Sequence, residues 1–590
     1  MRQTTPETVL TIATPMAPPY WALLERALLQ AAAAACQEFF ARYFDERGYL
    51  KCVPRWGGDD GPDDAAENLL NWPLLYALGA PESVLVLYRR GWEGHLRQYT
   101  EARTTVVPLA REGMYDKEFI VCFDWFHTGE GLSAFILEGL ADPTDRAFQQ
   151  RTQRYAGFYL NEDPAAPNYD PDRRLIRSLF NGSRGPLLRP ATPVDWAGDP
   201  IEIAGRFTPL HGERSYQEML AHFRDYTDIV GDHPLNLGAT TLAFNAYALT
   251  GAEKYRRWLL EYVDAWVERT RANDGIIPTN IGLDGAIGGA CGGRWYGGVY
   301  GWGFSVPAVP GPGLAHRPAF QQRAFYGFAN ALLLTGDMAY VEVWREMLDR
   351  VNAQARVVEG RQLSPHMYGD QGWYLFTPEP FNPGALELYF WTLDRDLLTL
   401  LPQKPRWLAF LDGEDPAYPV EALQRDLEEV RARVAGLRQD PRTPDTTLSD
   451  DPNQFNPALT GTLTQLMLGG LPTGRAGYHL HCRLRYFDPV RRRPGLPPDV
   501  GALVERLTAD SVTVTLVNLD PLQSREVIVQ GGAYAEHQIT TVRLGERTIP
   551  VDRSHLTVHL APGAGARLVI GQRRYANPPT FAFPWGTPAL

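Results

Sequence analysis

Cysteine is scarce: Cys36, Cys52, Cys122, Cys291 and Cys482 are scattered through 590 residues with no C-x-x-C pair. That spacing excludes a disulfide framework and a thiolate zinc site. Net positive charge is lacking too. The formal charge is -12 and the pI near 5.6, so no nucleic-acid or anionic-membrane partner is expected, because its phosphates would be repelled. No apolar run is long enough to span a membrane; the alanines of 31–35 share their segment with Gln37, Glu38 and Arg42. Residues 1–19 contain no basic patch followed by an apolar stretch, so no signal peptide is expected and a cytoplasmic location is favoured. Familiar chemical signatures are missing as well: G-x-x-x-x-G-K-S/T, G-x-G-x-x-G after a strand, G-x-S-x-G and H-E-x-x-H. The expected cofactor is therefore none and no metal ligand set is assigned, although the acidic loops leave a divalent cation open.

What the chain does have is apolar content and repetition. Hydrophobic residues make up 44% and charged residues 21%, the balance of a folded chain. Segment 243–255, AFNAYALTGAEKY, matches 328–340, FANALLLTGDMAY, with Asn245 on Asn330, Thr250-Gly251 on Thr335-Gly336 and Tyr255 on Tyr340. Each copy reads as an apolar helix stopped by a glycine, which adopts the left-handed conformation that closes a helix. An amphipathic helix follows each. The pattern predicts inner-type helices at 64–79, 128–140, 235–250, 318–335, 383–401 and 456–469. Outer-type helices are predicted at 20–45, 81–102, 142–158, 252–272, 337–355 and 421–438. Alternating, they predict a closed double ring, with the polar stretch 439–455 as a loop inside it. The period then changes. GYHLHCRLRYF (477–487) and the runs at 511–520, 525–532, 539–545, 556–563 and 566–571 read as short strands. The expectation is an α+β multidomain chain, with an (α/α)6 toroid over 1–470 and an antiparallel β-sandwich over 471–590.

With its Thr-Gly hairpin repeat and its helices-then-strands order, the chain resembles the broad clan of (α/α)6-toroid polysaccharide lyases and glycoside hydrolases that carry an appended β-sandwich. The resemblance covers nearly the whole chain at the level of architecture, and no motif singles out one family. It implies a saccharide-processing enzyme whose substrate funnel is lined by the loops leading into the inner helices.

Those loops are rich in Asp, His, Tyr and Trp. The first, RWGGDDGPDDAAEN (55–68), offers Asp59, Asp60, Asp63 and Asp64 as cation ligands or a general acid, with helix capping around Pro62 the favoured reading of Asp63 and Asp64. In the second, CFDWFHTGEG (122–131), Asp124, His127 and Glu130 recur every third residue and share a face of a helical turn. His127 and Glu130 are candidates for a tuned acid or base or half a metal site; a hydrogen-bonded structural histidine is the plainer alternative. Asp232, His233 and Asn236 stand where the third inner helix begins, and capping by Asp232 explains part of that group. The segment GGRWYGGVYGWGF (292–304) sets Arg294, Trp295, Tyr296, Tyr300 and Trp302 between glycines, which suits either a lined pocket or a tightly packed loop. His366, Tyr368 and Trp373 extend the same pattern. Arg184, in an arginine-rich stretch, suits carboxylate recognition, with simple ion pairs as the alternative.

The leading expectation is a lyase that cleaves a uronate-containing glycan by β-elimination. By the resemblance, Asn236, His127 or Arg294 would neutralise the uronate, His233 or Tyr296 would take the C5 proton, and Tyr296 or Tyr300 would protonate the leaving oxygen. A glycoside hydrolase of the same architecture would instead pair Asp59 or Asp60 with Glu130 or Asp232. A non-catalytic glycan binder would need the aromatic loops alone. In each case the expected partner is an oligosaccharide or polysaccharide.

Overall fold

The computed structural model describes residues 9–56, 61–192, 194–195, 229–296, 315–316, 324–474 and 476–585. Helix α1 (Tyr20–Tyr43) is followed by α2 (Pro62–Glu67), α3 (Trp72–Leu78) and α4 (Glu82–Glu101), then by α5 (Trp125–Gly131), α6 (Ser133–Ala141) and α7 (Arg146–Gly157). Next come the pairs α8 (Thr240–Thr250) and α9 (Glu253–Ala272), and α10 (Phe325–Thr335) and α11 (Ala339–Asn352). Helices α12 (Ala385–Thr392), α13 (Arg406–Leu411), α14 (Tyr418–Gln439) and α15 (Gly461–Leu468) complete the series. Helices α6 and α10 bury nearly every side chain, whereas α4, α9 and α11 bury one face. That is the contrast of apolar and amphipathic helices read from the pattern. Among the described residues, no helix is long and apolar enough to cross a membrane.

The segment expected as one helix at 64–79 is broken in two. Asn71 adopts φ 69° before Trp72-Pro73, and the chain restarts as α3, because proline supplies no N–H to continue the ladder. The expected helix at 128–140 is likewise divided, at Leu132, into α5 and α6. The repeat itself has a clear basis. Gly251 and Gly336 take φ 67° and 72°. Thr250 and Thr335 each donate to the carbonyl one turn back and accept the N–H two residues on. Thr392 does the same with Leu388 and Asp394, and Leu393 holds the left-handed position at φ 62°. A third copy of the stop was thus hidden in the sequence, because leucine stands where the others have glycine. The left-handed leucine costs about 1–2 kcal/mol.

The two asparagines matched by the repeat meet at one buried group. His479 Nδ1 lies 2.8 Å from Asn330 Oδ1, and its Nε2 lies 3.0 Å from Asn245 Oδ1. The first and last long helices are also neighbours. Helix α1 packs along α14, Tyr43 donates to Asp440 Oδ2 at 2.7 Å, and Arg438 forks onto Glu38.

The chain's first strand, β1 (Val9–Ile12), does not stay with the helices. Within the helical part, β2 (Arg356–Val358) and β4 (Gly372–Thr377) pair antiparallel with β3 (Arg361–Gly369), strands that the helical pattern did not foresee. After α15 come β5 (Leu484–Asp488), β6 (Arg493–Pro494), β7 (Val500–Leu507), β8 (Ser511–Asn518) and β9 (Arg525–Gly531). They continue with β10 (Gln538–Leu544), β11 (Arg547–Arg553), β12 (His555–Leu560) and β13 (Gly565–Arg573). Two five-stranded sheets result, ordered β1-β12-β9-β5-β6 and β7-β8-β13-β10-β11. All pairs are antiparallel except β1 with β12, where Val9 registers with Thr557. The strand expected across 477–487 forms only at its end. Residues 479–488 are continuously buried, not alternating, because this stretch carries His479 against α8 and α10 and sets His481 against Trp391.

Helix α1 lies on β7: a Cβ on Gly501 would come within 2.7 Å of Ala22 Cβ. Glu25, only 1% exposed, accepts a hydrogen bond from Ala502 N there. Burial pushes its carboxyl up to about 8, against the pull of neighbouring Arg26.

Candidate functional site

Two short helices assemble the most chemically loaded group of side chains. Pro62 opens α2, and Asp64 Oδ2 accepts the N–H of Gly61 at 2.9 Å, so Asp64 does cap the helix, as its position suggested. The sequence D-D-x-x-E then places Asp63, Asp64 and Glu67 around a six-residue helix. Asp124 caps α5, one carboxylate oxygen accepting Phe126 N and His127 N, while the other lies 2.7 Å from His127 Nδ1. Capping and orientation of a histidine are therefore done by one residue. Gly131 lets the helices close up, since a Cβ there would stand 3.3 Å from Asp63 Cα.

The result is two neighbouring groups along α2. Ligand atoms of Asp63, His127 and Glu130 lie within 4.8 Å of one another, and so do those of Asp64, Glu67 and Asp450. Asp124, Asp63, Glu67 and Glu130 are buried, while Asp64 and Asp450 are half-buried. Burial disfavours a charged His127, but Asp124, aided by Asp63 and Glu130, outweighs it and raises the imidazole to about 9. Burial pushes the Asp63 carboxyl up, with Glu130 adding to the shift and His127 opposing it. Asp64 is held well above the carboxylate range by burial and by Asp63, Asp450 and Glu67. For Asp63 and Asp64 that repulsion is relieved by holding a proton or by a nearby cation.

Asp450 joins this group to a polar cleft of about 660 Å³, lined also by Asp426, Arg433, Asp451, Asn453, Asn456, Thr460 and Thr462. Its size is that of small-molecule sites. Asn453 donates to Glu67 Oε2, and Asn68, on α2's last turn, donates to Ser449 O, which pins 449–456 against the helix.

The remaining sequence candidates fall into separate places. Asp232 is fully buried; it accepts from Ile176 N, His233 N, Asn236 Nδ2 and Tyr262 Oη, and burial raises its carboxyl to about 6. Asn236 is also fully buried, its amide committed to Ser178 O, Asp232 and Asn181. His233 is 1% exposed, with Nε2 3.3 Å from Asn280 Nδ2. This trio braces the loop ahead of α8. Trp295, Tyr296, Tyr368 and Trp373 come together across some 75 residues of chain into one half-exposed aromatic group, with ring centroids 4.6 Å (Trp295–Tyr368), 5.1 Å (Tyr296–Tyr368) and 5.0 Å (Tyr368–Trp373) apart. Arg294 pairs with Asp370 at 3.3 Å, and Tyr296 donates to the same carboxylate at 2.9 Å. His366 is bound instead to Thr377 Oγ1 and Glu379 O. Arg184 pairs with Glu112 and Asp116, the plainer of its two readings. Asp59, Asp60, Tyr300 and Trp302 lie outside the described residues.

Sequence reasoning weighed Asp63 and Asp64 as cation ligands or acids, favoured capping for both, and passed over Glu67 and Asp450. The signal for the first three was present as three acids within five residues. Asp450 gave none, since its place opposite α2 depends on how 439–455 folds back.

A family model described as a domain of unknown function, DUF8034, matches residues 9–381 and 402–464. The chain belongs to this family. The matched ranges contain all six of Asp63, Asp64, Glu67, His127, Glu130 and Asp450. No curated protein matches the chain. Among solved structures it is similar to cellobiose 2-epimerase from Bacillus thermoamylovorans, at 10% identity and a TM-score of 0.36, over 71% of this chain and 94% of that one. It is also similar to a β-1,3-1,4-glucanase from a Paenibacillus species, at 10% identity and a TM-score of 0.34, over 77% of this chain and 94% of that one.

Proposed function

We propose that the protein is a carbohydrate-active enzyme that hydrolyses a neutral glycan, with Asp64 as the proton donor. The observation that carries this reading is a half-buried carboxyl whose pKa burial and its neighbours hold well above the carboxylate range, next to Asp450 of a cleft of ligand size. A glycosidase needs such an acid at neutral pH, together with a second carboxylate. Asp64 would give its proton to the glycosidic oxygen as the C–O bond breaks. Asp450, which lines the cleft, would meet the cationic anomeric carbon; water then releases the sugar and the proton returns. Atoms of the two groups lie within 4.8 Å, closer than the roughly 6.5–9.5 Å that admits a water between carboxyls. Attack by the carboxylate itself, with retention of configuration, fits that spacing.

The elimination reading has less support. A tyrosine base needs a lowered pKa, whereas desolvation and Asp370 raise that of Tyr296. His233 and Asn236 are buried and bonded to the scaffold. The acidic pocket would also repel a uronate.

Around this site we read the helices as the (α/α)6 ring over 1–470, a reading supported by the packing of α1 on α14. The two sheets are read as the sandwich over 471–590, with β1 added from the chain's beginning. The testing experiment is a screen of neutral and uronate-containing glycans that reads new reducing ends and ultraviolet absorbance together. Reducing ends without absorbance on a neutral glycan are expected, and Asp64→Asn should lower kcat by about 10²–10⁴-fold. Absorbance rising on an acidic glycan, or full activity in Asp64→Asn, would overturn the proposal.

A further inference from the structure

We propose that Asp63, His127 and Glu130 form a binding site for one divalent transition-metal ion, of the zinc or manganese class. The site goes beyond the hydrolase reading and does not depend on Asp64 being the acid.

Geometry provides the first support. One ligand atom from each of the three lies within 4.8 Å of the others, close enough that small side-chain rotations would bring all three onto one ion, whose bonds of about 2.0–2.2 Å span at most about 4.4 Å. The set combines an imidazole with two carboxylates, which suits borderline cations better than calcium or magnesium, whose ligands are oxygen throughout. The histidine is already prepared. Asp124, fully buried, holds Nδ1 at 2.7 Å, which orients the ring so that an ion would bind through Nε2. This carboxylate–histidine arrangement orients metal ligands generally.

An independent observation comes from Thr128. A helical threonine commonly donates to the carbonyl one turn back, and Thr100, Thr250, Thr270, Thr335 and Thr392 all do so here. Thr128 does not, although Asp124 O is one turn behind it; the buried hydroxyls of Thr152 and Thr464 likewise lack a partner among the described residues, but neither lines this cavity. Its hydroxyl is buried, has no partner among the described residues, and lines the same cavity as Asp63 and His127. A polar group left open there is suited to a water on the ion. Charge points the same way: the carboxylates of Asp63, Asp64, Glu67, Asp124, Glu130 and Asp450 crowd around two helical turns, and a cation offsets their repulsion. Three protein ligands leave coordination positions open for water or a sugar hydroxyl.

The test is binding, without substrate. Full-length protein stripped with a chelator is titrated calorimetrically with zinc chloride and manganese chloride, and the metal content of untreated protein is measured by mass spectrometry. One equivalent is expected, with affinity falling at least about 100-fold in His127→Ala and Glu130→Gln and about 10–100-fold in Asp124→Asn. Asp450→Asn, in the neighbouring group, should leave the affinity within about threefold. Circular dichroism establishes that each variant is folded, and Asp63→Asn replaces any that is not. No uptake of either ion by folded wild type, or uptake that none of the ligand variants weakens, overturns the site. Activity on a glycan plays no part in these readouts, so failure here and failure of the hydrolase reading remain distinct.

Discussion

Replacing Glu25 by glutamine should stabilise the protein, and more so the higher the pH. Glu25 is 1% exposed on α1, its carboxyl raised from 4.5 to about 8 mainly by burial. Because the folded state holds this proton more tightly than the unfolded state, its contribution to stability is complete below pH 4.5 and is lost as the pH rises towards 8. At about 1.4 kcal/mol per pH unit, the loss is on the order of 3 kcal/mol by pH 7. Glutamine has nearly the same shape, keeps an oxygen for the Ala502 N–H, and cannot ionise. Urea unfolding of both proteins at pH 5, 6, 7 and 8 should therefore show a small gap at pH 5 that widens by about 1 kcal/mol or more per unit above it. Interaction with Arg26, which lowers the Glu25 pKa, acts against the trend. A gap that stays constant with pH, or a glutamine variant weaker at pH 8, would refute the reasoning, because burial could not then be keeping the proton on Glu25.

His479→Ala should lower stability by about 2–4 kcal/mol in a thermal or urea melt, since it opens a cavity and deprives the amide oxygens of both Asn245 and Asn330 of their shared ring. If Asp64 is the acid, kcat should fall as the pH rises through its raised pKa, and a rate that increases there would exclude it. Gly131→Ala should push α5 away from Asp63 and weaken metal binding by about tenfold with the melting temperature little changed, because its Cβ would meet Asp63 Cα at 3.3 Å. Trp295→Ala and Trp373→Ala should raise KM for longer oligosaccharides by about tenfold through lost stacking while leaving kcat alone; equal KM values would remove the aromatic group from the substrate path.

Much of the helical order was legible beforehand for a physical reason. A buried helix and a half-buried one differ in period and apolar content, and both are properties of local sequence. The Thr-Gly stop was legible in two copies because glycine advertises the left-handed position; the third was invisible because Leu393 reaches that conformation under tertiary constraint. The same limit applied to strands. Five turn-bounded runs after 510 were found, whereas 500–507 and 547–553 were passed over, and 479–488, which alternates in sequence, is buried throughout.

In the candidate site, Asp124, His127 and Glu130 were recognisable together because three-residue spacing on a helix is a local fact. By itself the sequence determined which acids, histidines and aromatics the chain owns, which helices are apolar or amphipathic, and where the period changes from helix to strand. Only the tertiary structure decided that Asp63 meets His127 and Glu130, that Asp450 returns to Asp64, and that Asn236 is scaffold. Side-chain period is set over a few neighbouring residues, but proximity between 64 and 450, and the burial that shifts these carboxyls, exists only once the chain has closed on itself.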